Sequence, residues 1–261
     1  VTLRIEGLHK SFTGRRSSTQ HVLRGVDLEV ARGEFVSLIG HSGCGKSTLL
    51  GIVAGLTAAD RGRVLVDGVA VQGPGPERAM VFQNYSLLPR LSLLANVREA
   101  VRSARPDRTK AWADGMVERY LTAVGLWEHR EKRPGQVSGG MAQRAAVARA
   151  FAVGPKLLLL DEPFGALDAL TRARLQQQLI ELWGNESDTE TVLMVTHGID
   201  EAILLADRIV VMANPPQPSI REVIDVGLAR PRDRASVVDQ PAFRTIQERL
   251  LAVLGEDAVA A

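Results

Sequence analysis

The sequence has one cysteine, Cys44, in 261 residues, so no internal disulfide can hold the fold and packing must do so. A lone thiol also suits a reducing compartment. No run of about 18 apolar residues occurs, which leaves no candidate membrane-spanning helix. The first residues, Val1-Thr2-Leu3-Arg4-Ile5-Glu6, alternate like a strand and lack the apolar core of a signal peptide. Basic and acidic residues nearly cancel, 32 against 30, so the basic surplus that nucleic-acid binding uses is missing. His9, His21, His41, His129 and His197 are scattered, and none stands at metal-ligand spacing from cysteine or carboxylate. Aromatic residues are sparse, and Trp112, Trp127 and Trp183 read as packing residues. There is no internal repeat, low-complexity tail or heptad stretch. These absences describe a cytoplasmic protein without a zinc or iron site, which would reach a membrane only through a partner.

What is present begins with eight residues, Gly40-His41-Ser42-Gly43-Cys44-Gly45-Lys46-Ser47. The apolar run Phe35 to Ile39 before them reads as a buried strand, and Thr48 to Ala54 after them as a helix. Glycines at this spacing let successive backbone N–H groups curl round a polyphosphate, and the new helix turns its partly positive end to the same anion. Lys46 can then reach the β- and γ-phosphates, and the Ser47 hydroxyl a Mg²⁺ ion. The stretch reads as a nucleoside-triphosphate site, with Cys44 a small filler inside it.

Residues 2 to 39 read as strands, with Val26, Leu28 and Val30 alternating against Asp27 and Glu29 and a turn across Thr13 to Gln20. Arg63 to Val66, the turn pair Asp67-Gly68 and Val69 to Val71 form a hairpin pattern, and Arg78 to Gln83 a further strand. From Ser92 to about Leu126 the pattern turns helical, and residues 84–153 read as a helical insert in an α/β core. The core resumes at Leu157 to Asp161, whose unbroken apolar run suits a parallel strand covered on both faces. A helix over Thr171 to Gly184, strands at Thr191 to Val195 and Arg208 to Met212, a short helix between them and a terminal helix from Gln240 to Leu254 complete the reading.

Asp161 and Glu162 end the second buried strand. An aspartate there can support the hydration shell of Mg²⁺, and the adjacent glutamate can polarise an attacking water. Upstream, Val137-Ser138-Gly139-Gly140-Met141-Ala142-Gln143-Arg144 opens an alanine-rich helix, with Ser138 placed as N-cap. On these motifs the chain resembles the ATP-binding cassette family of transporter ATPases from about Leu3 to Met212. Gly40 to Ser47 is similar to its Walker A loop, Leu157 to Glu162 to Walker B, and Ser138-Gly139-Gly140 to its signature. Gln83 falls at the lid glutamine, Ala166-Leu167-Asp168 at the D-loop, His197 at the switch histidine, and Phe12 at an aromatic that stacks on adenine.

The resemblance implies an α/β fold: a P-loop NTPase core with a mixed, parallel sheet, an N-terminal antiparallel β subdomain and an inserted α-helical subdomain. It implies one nucleotide-binding domain over 1–261, with 1–83 and 154–235 as core and β subdomain, 84–153 as helical signature subdomain and 236–261 as a C-terminal helix. It further implies ATP and Mg²⁺, and a head-to-tail dimer, homodimeric or of paralogues, with two sandwiched nucleotides. Gly40, Ser42, Gly43, Cys44, Gly45, Lys46, Ser47 and Thr48 would hold phosphates. Ser47, Gln83 and Asp161 would hold the metal, and Glu162 would be the base. His197 would touch the γ-phosphate, Gln83 would report the metal's state to the helical subdomain, and Asp168 would reach across the dimer. Ser138, Gly139 and Gly140 would close over the partner's nucleotide.

Three departures stand out: Met141 where the family usually has Gln, Gly198 where an Asp usually follows the histidine, and Val137 for Leu. Met141 forfeits a polar contact, and Gly198 is expected to loosen its turn. Finer wording, including Ala213-Asn214-Pro215-Pro216, Ile220-Arg221-Glu222-Val223 and Arg230-Pro231-Arg232-Asp233-Arg234, is similar to the nitrate-type importer ATPases of bacteria. Taurine, sulfonate, bicarbonate and cyanate importers are close alternatives, and a soluble ATP-driven switch in repair or translation is the rival class. The importer reading implies a membrane permease, an extracytoplasmic solute-binding protein and a peripheral place on the cytoplasmic face of the inner membrane. The end at Ala261 leaves no room for an added regulatory domain. Leu87, Leu88, Leu91 and Leu93 are expected to be partly exposed, as a groove for a permease loop.

Overall fold

A computed structural model describes residues 2–13, 19–185, 189–215, 217–230 and 232–259. In chain order the elements are β1 (Leu3–Thr13), β2 (Thr19–Val30), β3 (Phe35–Gly40), α1 (Lys46–Val53), β4 (Arg61–Val66), β5 (Val69–Ala70) and β6 (Arg78–Val81). Next come α2 (Leu93–Ala104), α3 (Lys110–Ala123) and α4 (Gly139–Ala152), with 3-10 turns at Trp127–His129 and Pro134–Gln136. Strand and helix then alternate through β7 (Leu157–Asp161), α5 (Ala169–Asn185), β8 (Thr191–Val195), α6 (Ile199–Leu205) and β9 (Arg208–Met212). Strand β10 (Ile220–Asp225) and helices α7 (Arg234–Val237) and α8 (Pro241–Val259) follow. The fold is α/β, and the chain divides into two compact units, Val1–Pro74 with Thr191–Ala261, and Gly75–Glu190.

In the first unit β2, β1, β4 and β5 form an antiparallel sheet in that order. Val26, Leu28 and Val30 are buried while Asp27 and Glu29 face water, as the alternation requires. Positive φ at Asp67 (48°) and Gly68 (79°) makes the tight turn that pairs Val66 with Val69. Strands β1 and β2 stay paired out to Thr13 and Thr19, and the turn expected between them lies at 14–18, outside the described residues. Strand β3 runs between β8 and β9, parallel to both, and every residue of β3 and β8 is buried. Strand β10, for which the sequence reading had no strand, pairs antiparallel with β9. Exposed Val223 and the less exposed Glu222 blur the apolar alternation, as befits an edge.

The tail that follows β10 has a structural task. Arg232 is buried and donates to the carbonyls of Ile203, Leu204 and Ala206 at the end of α6, and to that of Leu228. It thereby satisfies the carbonyls a helix end leaves open. Burial pushes its pKa down to about 10. Pro216 and Pro231 of the tail lie outside the described residues.

In the second unit β6 and β7 are parallel, and Leu157 to Leu160 are wholly buried. Helices α2, α3 and α4 pack on one another, capped by Ser92, Thr109 and Ser138, whose hydroxyls accept from Ala95, Trp112 and Met141 N–H at 3.2–3.3 Å. Alanines at 142, 145, 146, 148, 150 and 152 bury α4 along its length, and Phe151 stacks on Tyr120. Leu93 is fully buried as the first residue of α2, so it is core and not part of an exposed groove. The three tryptophans are half-buried, and Trp112 and Trp127 lie under the guanidinium groups of Arg108 and Arg130.

Candidate functional site

Strand β3 delivers the chain to the glycine loop at Gly40, which is in register with Met212 of β9. At Gly45 φ is 101°, and a Cβ there would sit 2.7 Å from Leu23 Cδ2 and 3.0 Å from Val22 Cγ1, so only glycine lets the loop lie so close to β2. Lys46 is 5% exposed and folds back over the loop, its Nζ donating to Gly40 O at 2.8 Å and His41 O at 2.9 Å. Cys44 is fully buried beneath it; burial pushes the thiol pKa up, with the Lys46 charge pulling the other way. The thiol therefore stays protonated and inert, as a filler would.

Helix α1 starts at Lys46 with no side-chain cap and no acidic residue in its first turn. The opening N–H groups of a helix have no carbonyl partner within it, so this end suits an anion with several oxygens. The residues fit a polyphosphate. His41 Nε2 is 2.9 Å from Leu254 O, which ties the loop to α8.

Two further expected residues lie in the same unit. Phe12 on β1 is 47% exposed, its ring 5.2 Å from the Lys10 ammonium, and an aromatic face on an open strand can receive a base. His197 is exposed directly after β8 and the buried Thr196. The turn beyond it is braced by Thr196 and Glu201. Thr196 Oγ1 accepts from Gly198 N–H at 3.0 Å and donates to Glu201 Oε2 at 2.5 Å, and the Glu201 side chain fills the space beside the glycine.

In the second unit Asp161 ends β7 and Glu162 follows with φ 47°, a left-handed conformation for a residue with a side chain. Gln83 Nε2 donates to Glu162 Oε2 at 3.2 Å, so Gln83 and the acidic strand end are joined directly. Gln143, quoted in the sequence without a role, is buried in α4 and donates to Pro163 O at 2.6 Å, just beyond Glu162. An uncharged polar residue among the alanines of α4 was the available signal. Ser138, Gly139 and Gly140 open α4, with Ser138 exposed and used as its cap. Asp168 is exposed and accepts from Leu170 and Thr171 N–H at 3.1 and 3.0 Å, capping α5. Hydrogen bonds from Thr171 hold its carboxyl below the ordinary aspartate value.

The family model described as ABC transporter matches residues 23–165. The nitrate import ATP-binding protein NrtD of Synechococcus elongatus is 49% identical, over 94% of this chain and 90% of its own length. The nitrate transport protein NasD of Klebsiella oxytoca is 44% identical, over 97% and 96%. The bicarbonate transport ATP-binding protein CmpC of Synechocystis is 46% identical over 97% of this chain, which spans only 38% of that longer protein. Among solved structures, a dimeric bacterial ABC transporter cassette superposes with a TM-score of 0.75 at 28% identity, over 87% of this chain and all of that one. A dimeric post-hydrolysis cassette bound to ADP and Pi gives 0.74 at the same identity and coverage. Glycine loop, glycine-headed helix and acidic strand end thus stand in a chain matched along nearly its whole length by such proteins, and it belongs to the ABC transporter family as an ATP-binding cassette.

Proposed function

We propose that this chain is the ATP-hydrolysing subunit of an importer that takes up a small anion, nitrate first. The observation that carries the ATPase reading is the loop from Gly40 to Ser47, with Lys46 folded over it and an uncapped helix behind it. The near full-length likeness to two nitrate proteins supports the solute. Bicarbonate is the second reading, favoured by the likeness to CmpC and to CmpD, which is 47% identical.

In this reading Lys46, the loop amides and Thr48 neutralise and orient the phosphates, and Phe12 stacks on adenine. Glu162 takes a proton from the water that attacks the γ-phosphorus, while the bond to the β–γ bridging oxygen breaks and ADP leaves beside inorganic phosphate. Gln83 orients the Glu162 carboxylate, and His197 steadies the γ-phosphate. Ser47, Gln83 and Asp161 are the residues for Mg²⁺, which when bound would offset charge on the β- and γ-oxygens. The chain acts as one nucleotide-binding domain, with 84–153 as its helical subdomain and 236–261 as its C-terminal helix. It pairs with a second cassette, identical or paralogous, whose Ser138, Gly139 and Gly140 close over the nucleotide and whose Asp168 crosses the interface. A permease, and through it an extracytoplasmic binding protein, places the pair at the cytoplasmic face of the membrane.

The test is nitrate depletion by source cells whose only copy is wild type or Lys46→Ala, with bicarbonate and taurine uptake measured in parallel. Loss of nitrate uptake alone is expected. Loss of bicarbonate uptake alone would replace the solute and keep the transporter. Undiminished ATP affinity in purified Lys46→Ala protein would remove the phosphate-loop assignment.

A further inference from the structure

Among the described residues, four other than glycine have a positive φ: Asp67, Tyr85, Ser86 and Glu162. Asp67 lies in the hairpin turn, where that conformation is required. The other three gather round one hydrogen bond. Gln83 donates to Glu162 at 3.2 Å, and Tyr85 and Ser86 follow Gln83 closely in the chain. Two successive left-handed residues with side chains are strained, and persist only where neighbours over-determine them.

What holds them is a residue to which the sequence reading gave no role. Arg149 of α4 donates from Nη1 to Ser86 O at 2.7 Å and from Nη2 to Tyr85 O at 3.1 Å, a two-pronged grip on consecutive carbonyls. Both hydrogen bonds go to backbone, and burial lowers the arginine pKa. The loop is also closed from within: Tyr85 N–H donates to Phe82 O at 3.0 Å, and Ser86 N–H to Asn84 O at 2.8 Å. At its far end the Tyr85 hydroxyl rests 3.3 Å from where a Cβ would stand on Gly139, the residue after Ser138.

We infer that Arg149 is a positioning residue for hydrolysis. It holds Tyr85 and Ser86 in the left-handed conformation that keeps the Gln83 amide on the Glu162 carboxylate, and through Tyr85 it couples that pair to the head of α4. The inference rests on the roles proposed above for Gln83 and Glu162. Without the guanidinium the loop relaxes toward extended φ, Gln83 leaves the carboxylate, and the base loses its orientation. Among the described residues Arg149 donates only to the loop, so ATP affinity is expected to stand.

The test compares the full chain as wild type, Arg149→Met, Arg149→Lys, Gln83→Ala and the Arg149→Met/Gln83→Ala double variant. Amide hydrogen exchange of the peptide covering Gln83–Leu88 is expected to quicken about tenfold in Arg149→Met, with a smaller effect in Arg149→Lys, which keeps the charge and loses the fork. The kcat is expected to fall at least about tenfold with KM and ATP Kd unchanged. The double variant is expected to be no slower than Gln83→Ala alone, because both changes break one device. Wild-type exchange and kcat in Arg149→Met, or additive losses in the double variant, would overturn the inference. Should Arg149→Met not fold, Arg149→Lys decides in the same way, and wild-type exchange and kcat there overturn it. A Glu162→Gln protein that turns over like wild type would instead remove the base assignment, while the exchange readout still tells whether Arg149 holds the loop.

Discussion

Gly45 and Gly43 share a positive φ, 101° and 86°, yet their surroundings differ. A Cβ at Gly45 meets Val22 and Leu23 of β2, whereas at Gly43 it meets nothing within 4 Å. Gly45→Ala adds a clash to conformational strain and is expected to destabilise by about 2–3 kcal/mol and to abolish measurable ATP binding. Gly43→Ala bears the strain alone, about 1 kcal/mol, and keeps the fold. Denaturant unfolding with a nucleotide titration separates the two, and equal losses would mean that the contact with β2 is not what matters. Such glycines were legible in the sequence because a required backbone conformation restricts residue type directly. The partners of Gln83, Gln143 and Arg149 were not legible. Each donates to a group chosen by tertiary folding, and a backbone carbonyl such as Pro163 O or Tyr85 O carries no side-chain signature.

Among the elements, those set by local rules matched the reading, from the helical onset at Ser92 and the capped start at Ser138 to the apolar runs of β3 and β7. Strand β10 escaped it because pairing with β9 rather than its own pattern makes it a strand, and Leu93 because exposure depends on which helices pack around it. Asp168 serves an element whatever its proposed role at the dimer interface. Its carboxylate caps α5, and Thr171 holds its pKa down. A carboxyl so held contributes stability that is complete above its ordinary value of 3.8 and lost as pH falls through the lowered native value. The wild-type thermal midpoint is therefore expected to drop more steeply below about pH 4 than that of Asp168→Asn, which caps without titrating. Parallel midpoint curves for the two proteins would show that the cap does not contribute to acid stability.

For the whole molecule, no helix of the described residues is long and apolar enough to cross a membrane, and the proposed importer would call for a surface that meets a permease. In that proposal the permease and the solute-binding protein would choose the solute, so likeness to relatives rather than any motif of this chain bears on nitrate. For that proposed contact Leu88 is the candidate. Leu88 is 48% exposed although its backbone is fixed: its N–H donates to Asn96 Oδ1 at 2.7 Å, and Asn96 Nδ2 donates to the carbonyls of Leu88, Leu91 and Ser92. Asn96 itself is buried, so the loop is braced from below while Leu87 and Leu91 stay half-buried beside Leu88. A rigidly held apolar side chain in water suits a partner that covers it. Leu88→Glu places a charge at that point without touching the Asn96 brace, so stability is expected to stay within about 0.5 kcal/mol of wild type. ATP hydrolysis by the purified chain is expected to persist while nitrate uptake by cells is lost. Uptake at the wild-type rate would place the permease contact on another face. Loss of hydrolysis as well would mean that the charge acts through the Gln83 loop, five residues upstream and held by Arg149.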